Sequence, residues 1–219
     1  MRLLQKKKER LLKVLKTADK MSVGKQKQLK QLNGRYKKTA RELCYIATAV
    51  AMMVMCSWLS LLVGGIPFTL QTLGVCLTAG LLGFKRGTVA MCAYVLLGVA
   101  GVPVFAGFTG GAAKLLSPTG GYIIGFLAAA PIIGIFADIF AERKSKSSNW
   151  LLALGMFLGL CLSYFLGTVW FVLLTIPTNE VMGYWSGFLL CVAPYLPFDI
   201  IKIGIAVFLT KRLRKFIKL

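Results

Sequence analysis

Residues 122–140 read YIIGFLAAAPIIGIFADIF, an apolar run that decides the class of the fold. A helix that crosses the hydrocarbon core of a bilayer needs about 20 apolar residues, so this run predicts a membrane-spanning helix. The whole chain of 219 residues has the same character, with 57% hydrophobic and 16% charged residues. Soluble domains contain ~45–50% apolar and about 25% charged residues. The composition therefore predicts an integral membrane protein.

Five further apolar runs complete a predicted all-α fold of six transmembrane helices. They occupy residues 43–63, 70–84, 88–105, 150–176 and 181–209. The last run is long for one helix and short for two. Pro194 and Pro197 interrupt it, because proline removes a backbone donor and clashes with the preceding turn. We therefore expect a short outer element at residues 182–192 and a sixth span that starts at Phe198.

The basic residues lie almost entirely on one side of this predicted topology. Of 27 Lys and Arg residues, 25 fall in the two tails or in the loops after the second and fourth spans, and the opposite side carries only Lys114 and Glu180. The positive-inside rule then predicts cytoplasmic N- and C-termini in a multi-pass protein of the cell membrane. Residues 1–42 form a basic cytoplasmic extension. Residues 43–219 form the six-helix domain with a short basic C-terminal tail.

The N-terminal extension has two open interpretations. Leu4, Leu11, Leu12 and Leu15 recur at helical spacing among lysines, which indicates a basic helix lying on anionic lipid. The alternative is a solvated cytoplasmic tail. Tyr36 is the only aromatic residue of the extension, so no surface is available on which bases could stack. We therefore expect the lipid bilayer, and no nucleic acid, as a partner.

Two charges fall inside the last apolar run. Counted from Lys211 at the inner surface, Asp199 lies about 18 Å and Lys202 about 13 Å deep, where a charge costs ~2.5–3.5 kcal/mol. Their i, i+3 spacing places them on one helix face. One interpretation is structural: they pair with each other, or Asp199 caps its helix. The other is an outward-facing pocket, in which Asp199 accepts hydrogen bonds from ligand N–H groups and Lys202 orients the carboxylate or meets an anion.

A glycine-rich stretch at residues 105–122 also has two interpretations. Irregular backbone near membrane depth is tolerated where it lines a cavity, and a helix N-terminus there can hold a carboxylate. An ordinary external loop is the alternative. Lys114, in the middle of the stretch, is either a lid cation or a solvated loop lysine.

Ala47 and Ala51 form a small-xxx-small pair on the first predicted span. Small residues four apart let another helix approach closely, either from a partner protein or from within the chain.

Several chemistries lack the residues that they need. The chain has no histidine, which is the commonest metal ligand and general base. It also has no P-loop, no carboxylate pair and no Ser-His or Cys-His set. We therefore expect that the protein is not an enzyme and that it binds neither a cofactor nor a metal ion.

Several blocks of the sequence resemble the BioY family, the biotin-specific substrate-binding (S) components of energy-coupling-factor (ECF) vitamin transporters. The blocks are PFTLQTL at 67–73, LGVAGVPVFAG at 97–107, SPTGGYIIGF at 117–126, YxxGxxW at 164–170 and PYLPFDIIK at 194–202. The resemblance covers residues 43–215. Phe198 departs from it, because the family usually has glycine at that position.

The resemblance implies the substrate, its site and the partners. It implies a six-helix protein that binds biotin from outside and docks on a transmembrane coupling subunit driven by two cytoplasmic ATPases. Asp199 then suits the N–H donors of the ureido ring, with Lys202 beside it, Gln71, Tyr122 and Tyr164 as further polar contacts, and Phe68, Tyr94 and Phe105 as apolar walls. Ala47 and Ala51 match the small-residue motif that contacts the coupling subunit.

Two other functions remain open from the sequence. One is a self-sufficient carrier or channel for another small organic anion. The other is a membrane scaffold whose basic tail recruits a partner, with Asp199 and Lys202 as a structural pair.

Overall fold

The computed structural model describes residues 34–63, 66–142, 148–175 and 184–217, with the backbone alone at 61–63, 66–68, 148, 175 and 190. It divides into two compact units, Met1–Cys44 and Tyr45–Leu219. Of the first unit, residues 34–44 are described, and all of them are helical. The predicted leucine face at residues 4–15 and Glu180 lie outside the described residues.

Helices dominate the described chain. The elements are α1 (Gly34–Trp58), β1 (Ser60–Val63), β2 (Ile66–Thr69), α2 (Gln71–Val99), α3 (Ala112–Leu115), α4 (Gly120–Glu142), α5 (Ser148–Thr175), α6 (Tyr184–Cys191) and α7 (Leu196–Leu213). Within the described residues, four helices are long and apolar enough to cross a membrane, namely α1, α2, α4 and α5. The prediction of a helical membrane fold is confirmed.

A β-hairpin follows α1, where the sequence predicted the end of the first span. The helix ends at Trp58, and the strands pair antiparallel, with Ser60 opposite Thr69 and Val63 opposite Ile66. A short apolar run does not distinguish a buried strand from a helix end, so the predicted span reached five residues too far. Small antiparallel strands therefore accompany the helices of the predicted all-α fold.

Helix α2 folds back on itself at Gly83. Gly83 has φ 74° and ψ −170°, outside helical geometry. Gln71 Nε2 lies 2.9 Å from Tyr94 Oη, although the two residues are 23 apart in sequence. In a straight helix they would be separated by about 35 Å. The element is therefore a pair of helical arms, residues 71–82 and 84–99, that correspond to the second and third predicted spans.

The region after α2 is irregular. The helix ends at Val99, although the third predicted span continued to Phe105. Phe105 instead forms an isolated bridge with Thr109, and its N–H donates to the Thr109 carbonyl oxygen at 2.9 Å. Trp58 Nε1 donates to the Pro103 carbonyl at 2.8 Å and thereby ties this segment to the end of α1.

The core lies where α2, α4, α5 and α7 meet. Met91, Ile133, Met156 and Ala206, one from each of these helices, are fully buried in a single hydrophobic cluster. The short helix α6 falls within the predicted outer element at residues 182–192, and α7 begins two residues before the predicted start of the sixth span. Helices α2, α4, α5 and α7 together position the candidate functional site.

Candidate functional site

The first two turns of α7 carry a buried ion pair. Lys202 Nζ lies 3.0 Å from Asp199 Oδ1, and the two residues are only 7% and 4% exposed. Asp199 does not cap the helix, because Tyr195 is the N-cap residue and no side chain bonds to the free N–H groups. The i, i+3 spacing that predicted a shared face therefore produces a direct contact.

Lys202 has acceptors for all three of its ammonium hydrogens. In addition to Asp199, it donates to the Thr69 carbonyl oxygen at 2.8 Å and to Thr72 Oγ1 at 3.2 Å. A lysine ammonium carries three donors and no acceptor. Of the two roles open from the sequence, this arrangement favours orientation of the Asp199 carboxylate over contact with a ligand anion.

The Asp199 carboxylate keeps part of its hydrogen-bonding capacity. Oδ1 accepts from Lys202 and from the Thr72 hydroxyl at 2.8 Å, whereas Oδ2 accepts from the Tyr164 hydroxyl. A carboxylate offers about four lone-pair positions. With three used, Oδ2 can accept one further donor. Since Asp199 lines a cavity, that donor can come from a ligand.

Gln71 is oriented by a buried tyrosine. Its Nε2 donates to Tyr94 Oη at 2.9 Å and to Ser57 Oγ at 3.3 Å, and Tyr94 passes its own hydroxyl hydrogen to the Val104 carbonyl at 3.1 Å. The Tyr94 ring is fully buried, edge-on to Phe105 at 5.6 Å. Tyr94 therefore lies behind the cavity wall and positions Gln71 and Phe105, whereas the sequence predicted it as part of the wall.

These residues surround a cavity of about 720 Å³, measured with its open mouth. Six of the predicted site residues line it, namely Gln71, Phe105, Tyr122, Tyr164, Asp199 and Lys202. The Phe68 side chain lies outside the described residues. Phe198 is 53% exposed and does not line the cavity, so its replacement of the family glycine does not narrow the pocket.

Nine lining residues were not among the predicted contacts. They are Thr69, Thr72, Ala106, Lys114, Thr119, Ile123, Phe126, Cys191 and Tyr195. Most of them fall inside the sequence blocks quoted above, next to residues that the sequence did predict. Helical spacing is the available signal for Phe126, because it lies four residues after Tyr122 on the same face of α4.

The Tyr122 ring fits against a glycine of the neighbouring helix. A Cβ atom added to Gly167 would collide with this ring, so only glycine permits the observed approach of α4 and α5. The Tyr122 hydroxyl lies 3.5 Å from Thr168 Oγ1. Trp170 Nε1 donates to the Ser117 carbonyl at 3.2 Å, which fixes the segment before α4 to the same helix. Gly167 and Trp170 of the YxxGxxW block thus shape the pocket without lining it.

The remaining sequence-predicted features lie elsewhere. Ala47 and Ala51 are exposed on α1, so their small side chains face outward and do not pack against another helix of the described residues. Over the part of the chain that the structure describes, no group of three or more metal-binding side chains is found.

Comparisons with known proteins agree on one family. A family model described as the BioY family matches residues 25–219. The biotin transporter BioY of Thermotoga maritima is 41% identical over 175 residues, which cover 80% of this chain and 96% of that protein. The probable biotin transporter BioY of Pyrococcus horikoshii is 35% identical over 175 residues, covering 80% and 97%.

A solved structure has a similar fold. It is the crystal structure of the S-component for biotin from an ECF-type ABC transporter, with a TM-score of 0.69 and 29% identity over 82% of this chain and 93% of that one. The relatives are named as transporters, which confirms the prediction of a multi-pass membrane transport protein and not an enzyme. Because the family model matches residues 25–219 and the Thermotoga maritima relative is 41% identical over 80% of the chain, the chain belongs to the BioY family.

Proposed function

We propose that this chain captures biotin for uptake across the cell membrane, as the S component of an ECF-type transporter. The observation that carries the proposal is the buried Asp199 carboxylate, which lines an open cavity with one acceptor position on Oδ2 unused. The matches to biotin transporters and to a biotin S-component supply the family context.

The chemistry of the cavity suits the parts of biotin. The ureido ring presents two N–H donors and a carbonyl acceptor, and hydrogen bonds to an ionised acceptor are about twice as strong as neutral ones. Asp199 Oδ2 can accept one of these N–H groups. Gln71 Oε1, which accepts only from Thr69 Oγ1 at 3.2 Å among the described residues, can accept the other. Phe105, Ile123 and Phe126 provide apolar wall for the thioether ring and the alkyl chain.

The position of the charges supports a pocket that opens outward in a bundle of six spans. Lys85 and Arg86 follow the reversal at Gly83, and Lys211 and Arg212 lie in the last turn of α7. Asp199 precedes Lys211 by twelve residues, about 18 Å along the helix. Cytoplasmic placement of the basic ends then puts Asp199 in the outer half of the bilayer, Lys202 near its midplane and both termini inside.

The exposed alanines of α1 form the proposed contact surface for the partner proteins. Ala47 and Ala51 offer a surface on which the helix of a coupling subunit can pack closely, with two cytoplasmic ATPases supplying the energy. Residues 1–42 form a separate basic extension in this proposal.

Calorimetric titration of the purified, detergent-solubilised chain with biotin tests the proposal. We expect saturable binding that desthiobiotin shares in part and lipoate does not, because lipoate lacks a ureido ring. Asp199→Asn should weaken biotin binding by about tenfold or more, since it removes a charged acceptor. Glu142→Gln, at the exposed end of α4, removes an acid outside the cavity and should leave binding unchanged. Absence of saturable binding, or equal binding of lipoate, contradicts the proposal.

A further inference from the structure

The cavity contains a second ammonium group that the proposed ureido site does not use. Lys114 lines the cavity from α3, on the connection between α2 and α4, and is half-buried. Among the described residues, its ammonium makes no hydrogen bond or ion pair. Lys202, by contrast, has acceptors for all three of its hydrogens. Lys114 is therefore the lining cation that has donors available for a ligand.

The backbone of Lys114 is held in place although its side chain has no partner among the described residues. Its N–H donates to the Gly111 carbonyl at 3.1 Å. Its carbonyl accepts from the Ser117 hydroxyl at 2.6 Å, and Ser117 is in turn bonded to Trp170 of α5. These contacts anchor α3 to the bundle, so the Lys114 side chain extends from a fixed backbone.

The charge balance of the described lining favours an anionic ligand. It contains two ammonium groups, Lys114 and Lys202, and one carboxylate, Asp199, for a formal charge of +1. The other twelve lining residues carry no formal charge, so the excess charge is weakly screened and a charge-assisted contact is strong. Asp199 and Lys202 cancel each other, which leaves the excess on Lys114.

We infer that Lys114 determines specificity by binding the carboxylate of the ligand, so that the pocket selects the free acid over its neutral amide. This inference rests on the proposed function: the ureido ring contacts Asp199, and the alkyl chain extends toward α3. It assigns Lys114 as the lid cation that the sequence left open against a solvated loop lysine.

A binding experiment with two ligands and matched lysine variants tests the inference. Biotin and biotinamide, which differ only at the carboxyl end, are titrated into the detergent-solubilised wild-type protein, Lys114→Met, Lys114→Arg and Lys85→Met. Lys85 is exposed beside the reversal of α2, away from the cavity, and serves as the control lysine. Size-exclusion profiles and melting temperatures establish that each variant is folded, and Lys114→Gln replaces the Met variant if that one is not.

The expected result is a loss specific to the acid. Hydrogen bonds to charged groups correspond to about 10-fold to 100-fold in affinity. Wild-type protein should prefer biotin over biotinamide by such a factor, and Lys114→Met should lose that factor for biotin while changing biotinamide binding by less than about twofold. Lys114→Arg and Lys85→Met should keep the preference.

Two results overturn the inference in distinguishable ways. If wild-type protein binds biotin, but Lys114→Met retains the preference for the acid or weakens both ligands equally, the role of Lys114 is wrong and the proposed function stands. If wild-type protein binds neither compound, the proposed function fails and the inference fails with it.

Discussion

Thr72 connects the two charged residues of the pocket. Its hydroxyl donates to Asp199 Oδ1 at 2.8 Å and accepts from Lys202 Nζ at 3.2 Å. Valine has the same shape without the hydroxyl, so Thr72→Val leaves a buried carboxylate and a buried ammonium each short of one bond. We expect a loss of about 1–3 kcal/mol in the free energy of unfolding, measured by denaturation of the detergent-solubilised protein, together with weaker biotin binding.

Thr78 provides the matched control on the same helical arm. Its hydroxyl is buried and has no hydrogen-bond partner in the described structure. Thr78→Val removes an unsatisfied polar group, so it should leave the free energy of unfolding unchanged or raise it. Equal effects of the two substitutions would show that the hydroxyl of Thr72 contributes nothing specific to the ion pair.

The sequence revealed the charged centre of the pocket but not its supporting residues. Asp199 and Lys202 could be identified because charge inside an apolar run is costly and therefore conspicuous. Thr72 could not, since threonine is unremarkable in such a run and its role depends on contact with a residue 127 positions away. Tyr94 was predicted to line the cavity, but it lies behind the cavity wall. Residue type alone cannot distinguish a ring that lines a cavity from one that lies behind it.

The close approach of α4 and α5 determines the position of the Tyr122 ring. Gly167→Ala places a methyl group where that ring lies, which forces the ring or the helices to move. Overpacking of this kind costs about 1–3 kcal/mol. We expect a lower melting temperature and biotin binding weakened severalfold, measured by thermal denaturation and titration of the same preparation.

Gly204 is the appropriate comparison for this substitution. It lies inside α7, and a Cβ added there meets no atom within 4 Å. Alanine is favoured over glycine in a helix interior by about 1 kcal/mol. Gly204→Ala should therefore leave stability and binding unchanged or slightly improved. If Gly167→Ala behaves in the same way, the tight contact with Tyr122 is not required.

Helix α2 illustrates what a pattern of apolar runs and charges can predict about an element. The two runs on either side of Lys85 correctly indicated two antiparallel helical segments. The reversal itself lies at Gly83, two residues earlier, because the turn needs a positive φ and not a charge. A side chain at Gly83 would also collide with the Asp138 carboxylate, which accepts a hydrogen bond from the Phe84 N–H at 2.9 Å. That tertiary contact is invisible in the local sequence.

The described part of the chain exposes large apolar side chains and buries the Asp199–Lys202 ion pair. Large hydrophobic residues such as Phe157, Phe165 and Phe208 are about half exposed, as expected for surfaces that contact lipid, whereas Asp199 and Lys202 are buried. Composition alone predicted an integral membrane protein, because a chain with 57% hydrophobic residues has too few polar residues to cover its apolar side chains in water. The β-hairpin and the irregular segment after α2 escaped prediction, since they depend on contacts such as that between Trp58 and Pro103.

The orientation of the chain in the membrane can be tested at two exposed positions. Leu116, in the segment before α4, and Phe216, just after α7, are 70% and 80% exposed, and the proposed topology places them on opposite sides. Single cysteines at these two positions, in a chain whose six native cysteines are replaced and whose biotin binding is retained, can be treated with a membrane-impermeant maleimide on intact cells. We expect labelling of Leu116→Cys in intact cells and of Phe216→Cys only after permeabilisation. The reason is that the five basic residues after residue 209 resist transfer across the membrane. Labelling of Phe216→Cys in intact cells would contradict the proposed topology, because it would show that the C-terminus is outside and that the pocket opens on the cytoplasmic side.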